Sequence, residues 1–86
     1  MTKEQIIAAA EATLRLAREY DMDGTSHDDA PKVDYGHLEY MLKSMPDFDD
    51  LGKLNRWLGW IQAAVYSHCS MTEDVMERIK EISRGT

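Results

Sequence analysis

Between Asp50 and Cys69 the apolar residues Leu51, Leu54, Leu58, Ile61 and Val65 recur at intervals of three and four. That spacing marks one face of an α-helix. Trp57, Ala64 and His68 widen the face, and Trp60 opens a second side. A helix apolar around so much of its girth has to be enclosed by other helices or buried in an oligomer. The segment therefore sets the class: an all-α chain with this helix at its centre.

The rest of the chain supplies helices to surround it. Thr2 can cap a first helix while Gln5 reaches back to it, a reciprocal pair that satisfies two orphan amides. Ile6, Ala9, Ala10, Leu14 and Ala17 follow helical spacing with Tyr20 near the end, and Ile7 and Leu16 fall partly beside them. The alanines keep this helix slim enough for a close neighbour. Residues 21–31 read as a loop, broken by Gly24, Pro31 and a cluster of Asp, Ser and Thr. A second helix is predicted from Asp34, its cap, to Met45, with Tyr35, Leu38, Met41, Leu42 and Met45 inward. Pro46 stops it, and acids at 47, 49 and 50 lie where the next helix begins, at its positive end. After the break at 70–73, Thr72 caps a last helix. Val75, Ile79 and Ile82 form its buried side, Met71 is placed to staple onto Met76, and Gly85 ends it. There is no internal repeat and no alternation that would make a strand. The expectation is one domain, residues 1–86, of three to four short helices in a hairpin or small bundle.

Size and charge then narrow the function. A chain of 86 residues buries a core only a few side chains deep. Its one cysteine, Cys69, excludes an internal disulfide framework and a cysteine metal cluster. The near-apolar run from Trp57 to Tyr66 is too short to span a membrane and contains Gln62. The first residues lack an apolar signal core, so a cytoplasmic location is expected, the host's if the gene is viral. The net charge is -6, concentrated in residues 21–50, where nine acids face Lys32 and Lys43. Such a field repels phosphates, and direct DNA binding is not expected. The acids Asp21, Asp23, Asp28 and Asp29 instead form a candidate surface for a basic protein partner.

No constellation points to catalysis. Asp21-Met22-Asp23-Gly24-Thr25 resembles the nucleophile motif of haloacid dehalogenase-like phosphatases, which would make Asp21 and Asp23 nucleophile and acid–base. That motif follows a buried strand, whereas here it follows a charged helix end, and the chain is too short for that fold. As a calcium loop the run fails as well: Gly24 comes two places early and Lys32 stands where the closing Glu belongs. His27, His37 and His68 have no ligand spacing, and Ser26, Ser67 and Ser70 lack a nucleophile elbow. No enzyme activity, metal or cofactor is expected.

The chemistry that remains lies on the third helix. Lys53, Arg56 and Trp60 fall along one helical strip, with Asn55, Gly59 and Gln62 on a neighbouring one. A guanidinium beside an indole, with an amide in reach, can clamp a phosphate or carboxylate while the ring stacks on a base or side chain. Arg56 can equally pair with a loop aspartate and cover a tryptophan with its stem. Gly59 costs a helix interior about 1 kcal/mol relative to Ala, which points to close helix approach. Tyr20, Tyr35, Tyr40 and Tyr66 are available to join such a pocket. Trp57 and Trp60 are generous for so small a core, and a homo-oligomer is expected.

Two segments, Gly36-His37-Leu38-Glu39-Tyr40-Met41-Leu42 and Gly52-Lys53-Leu54-Asn55-Arg56-Trp57-Leu58-Gly59-Trp60-Ile61-Gln62, resemble a helical hairpin of small phage and prophage accessory proteins. Through that hairpin the chain is similar to phage anti-defence proteins that sequester cyclic-nucleotide signals. The resemblance covers roughly residues 36–75. It implies a non-catalytic oligomer that holds a host-made nucleotide messenger between subunits, with Arg56, Lys53 and Trp60 as candidate contacts. The charge distribution equally fits an inhibitor or adaptor that binds a host or viral protein.

Overall fold

In the computed structural model, which describes residues 1–24, 34–69 and 71–85, four α-helices carry the fold: α1 (Lys3–Glu19), α2 (Tyr35–Ser44), α3 (Leu51–His68) and α4 (Glu73–Gly85). Among the described residues there is no strand, and the expected all-α bundle is what forms.

Each helix starts where a short polar side chain can replace the missing turn. Thr2 Oγ1 accepts from Gln5 N–H at 3.2 Å while Gln5 Oε1 accepts from Thr2 N–H at 2.8 Å, closing a reciprocal cap. Asp34 accepts from Gly36 N–H, and Thr72 accepts from Val75 N–H at 3.3 Å. Asp50 does most, because one carboxylate oxygen takes both Gly52 N–H at 2.8 Å and Lys53 N–H at 3.2 Å. A Cβ on Gly52 would lie 3.1 Å from that oxygen, so the glycine leaves the cap its room. Asp50→Ala should therefore cost about 1 kcal/mol, a loss of roughly 4–8 °C in melting temperature for a domain of this size. Thermal denaturation followed by circular dichroism measures it, and an unchanged midpoint would mean the cap is dispensable.

The helices end by equally local means. Before Pro46 the chain tightens from α2 into a single 3₁₀ turn, Met45–Asp47, and leaves it extended at Phe48. At the end of α1, Asp21 takes a left-handed conformation with φ 59°, which aspartate tolerates better than most residues. The turn that follows, Met22–Gly24, drives Met22 into the core with no exposed surface. Part of the predicted loop is thus structural.

The core lies where α1 and α3 pack against each other, with α2 and α4 against that pair. Ile6, Ala9, Ala10, Leu14, Leu16 and Ala17 of α1 meet Leu54, Leu58, Ile61 and Val65 of α3; α2 adds Leu38 and Met41, and α4 adds Val75 and Ile79. Thr13, buried among them, donates its hydroxyl to Ala9 C=O at 2.8 Å and so is satisfied. The α4 helix is also tied to α1 by an ion pair between Arg78 and Glu19, which holds the Glu19 carboxyl below its ordinary range. Burial pushes the Cys69 thiol upward, as expected of an inert cysteine.

Two expectations need correction. Leu51 is 46% exposed, because it falls on the solvent side of α3 with Asn55, Gly59 and Ala63. Trp60, on the second side that the sequence opened, is also 46% exposed. The Cα atoms span 31 × 26 × 16 Å, too thin a body to enclose α3 on every side. Met71 takes a left-handed φ of 52° and stays 61% exposed, so it buries little area as a staple.

Candidate functional site

The two segments that define the hairpin meet along one edge. From α2 come His37, Tyr40 and Met41, spaced so that successive turns present them on one side; from α3 come Arg56, Trp57 and Trp60. Together they line a groove of about 600 Å³, open to solvent along one side. Tyr40 is 62% exposed and Trp60 46%, while Met41 is buried and forms floor rather than rim. The His37 and Tyr40 rings stand 6.0 Å apart, tilted by 33°.

Phe48 sets the orientation of the groove's inner wall. It leaves the Pro46 turn and meets Trp57 edge-to-face, with centroids 4.7 Å apart and planes at 82°. That arrangement suits the charge distribution of the rings. Lys53 Nζ sits 3.9 Å from the Phe48 centroid and 5.6 Å from that of Trp57. Its charge is therefore held against two ring faces and lies away from the groove. Arg56 differs: among the described residues it forms no ion pair, although the chain carries a net charge of -6.

The structure thus divides the five α3 residues chosen from sequence. Arg56 and Trp60 share the groove; Lys53 turns to Phe48, and Asn55 is exposed outside the lining. Gln62 donates to Ser83 Oγ at 3.1 Å and joins α3 to α4. Sequence reasoning missed His37, Met41 and Trp57 as groove residues, and had Tyr40 only as one of four available tyrosines. The signal for His37 and Tyr40 was their spacing of three beside, rather than on, the apolar stripe of α2. Tyr35, by contrast, is buried and its hydroxyl accepts from Arg18 at 2.7 Å, which raises the guanidinium pKa.

Gly59 also departs from expectation. A Cβ built there would meet nothing within 4 Å, so no helix among the described residues uses the space it leaves. On the acidic side, Asp21 and Asp23 are exposed just after α1, while Asp28 and Asp29 lie outside the described residues. Among the described residues no group of three or more His, Cys, Asp or Glu is arranged to hold a metal ion, and no helix is long and apolar enough to cross a membrane.

In comparisons with known proteins, no family model, curated protein or solved structure matches this chain.

Proposed function

We propose that this chain is a non-catalytic accessory protein, of the phage type its hairpin resembles, and that it inhibits or adapts a host or viral protein through the α2–α3 groove. The observation that carries this reading is the groove's composition: exposed Trp60 and Tyr40 beside Arg56, a guanidinium with no carboxylate partner among the described residues. Trp, Tyr and Arg dominate the binding energy of protein interfaces, and an open groove with a methionine floor suits an inserted side chain. Exposed Asp21 and Asp23 would add long-range attraction for a basic partner.

A second reading, sequestration of a cyclic-nucleotide messenger, is favoured by the same guanidinium: Arg56 can take a phosphate while Trp60 or Tyr40 stacks on a base. The groove volume lies within the range of small-molecule sites. With Lys53 held on Phe48, Arg56 is the one Lys or Arg among the described residues lining the groove, which is little for a multiply charged ligand. The protein reading therefore ranks first.

Arg56→Ala separates these readings. The tagged protein and the variant are each incubated with bacterial host lysate, and purified samples are titrated with cyclic di- and trinucleotides by calorimetry. A host protein retained by the parent and weakened at least 30-fold in the variant, at unchanged helicity, is the expected result. That loss corresponds to about 2 kcal/mol. Nucleotide uptake abolished by the same substitution would instead install the second reading. A partner bound equally by both proteins, but lost on reversing Asp21 and Asp23, would move the contact to the acidic surface.

A further inference from the structure

The groove between α2 and α3 differs in charge from the body around it. The chain carries 16 acidic residues and a net charge of -6, yet no acid occurs anywhere in α3 and none of the described residues lining the groove is acidic. The two acids nearest to Arg56 in sequence are engaged elsewhere. Asp49 pairs with Lys3, and Asp50 accepts the Gly52 and Lys53 amides as the cap of α3.

Gly52 shows where the guanidinium lies. A Cβ built there would come 3.5 Å from a terminal nitrogen of Arg56, so the side chain folds back over the first turn of α3. Helical side chains lean toward the N-terminus, so the Trp60 indole overlies the turn that carries Arg56. A cation and a flat apolar surface therefore stand about one helical turn, or about 5.4 Å, apart along one wall. Tyr40 stands on the α2 side, and buried Met41 floors the space.

Resting on the protein-binding reading above, we propose that the groove takes a short extended segment in which an aspartate or glutamate lies two positions from a large apolar side chain. In an extended chain such residues share a face and stand about 6.6 Å apart, close to the spacing of guanidinium and indole. Adjacent residues point to opposite faces and could not use both contacts. The carboxylate accepts from the Arg56 fork, which can donate two parallel charge-assisted hydrogen bonds. The apolar side chain enters beside Trp60 and Tyr40. Charge excludes the other choices. A lysine or arginine would meet Arg56 with like charge and find no acid among the described lining residues. A wholly apolar segment would cover the guanidinium and leave it unpaired, which burial penalises. Asp21 and Asp23 then attract a partner's basic surroundings from a distance, while the groove reads a local acid.

The test is selection of displayed random peptides on the full chain, with Trp60→Ala as counter-selection to remove peptides bound outside the groove. Recovered sequences should carry Asp or Glu two positions from Trp, Phe, Leu or Met. By fluorescence anisotropy, a synthetic copy should bind Arg56→Glu at least about 30-fold more weakly than the parent. Exchanging the peptide's acid for Lys should restore binding to that variant. Arg56 is exposed, so the charge reversal leaves the fold intact. Arg56→Gln, which keeps the length and removes the charge, reports the same loss if Arg56→Glu fails to fold. Peptides with Lys or Arg in that place, with the acid three or four positions away as on a helix, or with equal affinity for Arg56→Glu would overturn the assignment and leave the groove a protein site. A library that yields nothing dependent on Trp60 would overturn it as well. The protein-binding reading falls with it only if the lysate also offers no partner sensitive to Arg56→Ala.

Discussion

Replacing Ile61 with alanine should remove a large fraction of the protein's stability and lower its melting temperature by about 10 °C or more. Ile61 has no exposed surface and sits on α3 where that helix faces the core. Truncating a buried isoleucine deletes its transfer free energy and leaves a cavity that a close-packed interior only partly fills, together about 2–5 kcal/mol. A domain of this length holds roughly 4–13 kcal/mol in total, at 0.05–0.15 kcal/mol per residue. One truncation thus consumes much of the margin. Leu51→Ala is the matched control: the same helix, but a residue 46% exposed. At dilution it should cost below about 1 kcal/mol, since little area is uncovered. Urea denaturation of both variants decides the matter. Equal losses would mean that α3 is oriented differently about its axis.

The second large effect should appear in association and leave folding intact. Trp60→Ala removes an indole that is 46% exposed and borders both the α2–α3 groove and the notch beside Ala63. Surface substitutions away from caps and core rarely move stability by more than about 0.5 kcal/mol. The melting temperature at dilution should therefore stay within a few degrees of the parent. The dissociation constant for a protein partner retained by the α2–α3 groove should rise at least 30-fold, about 2 kcal/mol, as for an aromatic anchor at the centre of an interface. Titration calorimetry measures one quantity and thermal denaturation the other. If partner binding is unchanged, Trp60 is not at the contact. If the fold melts early, its indole is structural.

These predictions mark the boundary between what is local and what is not. The caps at Thr2, Asp34 and Thr72 were readable because a cap involves residues only two or three positions apart, whereas Asp50 was read only as one of the acids near the start of α3. The inward faces of α1 and α3 were readable from their period. Periodicity does not say whether a neighbour covers the whole length of a helix face, which is why Leu51 was expected inside. Met22 looked like loop by composition, yet the short turn after α1 carries it into the core. Lys53 and Gln62 illustrate the limit for the site. Each sits on the expected helix, but its direction is set by Phe48 or Ser83, partners that helical spacing alone does not reveal. The groove lies between α2 and α3, which both pack on α1, so it exists only once each helix has docked there.

The absence of acids from α3 has a kinetic meaning as well. A molecule whose negative charge is excluded from one long strip has an electrical orientation: it is repelled when it approaches a like molecule broadside and tolerated when it turns the strip forward. Encounters between copies would then be slow in dilute buffer and faster as added salt shortens the screening length to about 10 Å. An approaching cation-rich protein would experience the opposite and be drawn most strongly at low salt. Ionic strength would therefore set which of the two encounters comes first, and each would meet a different face.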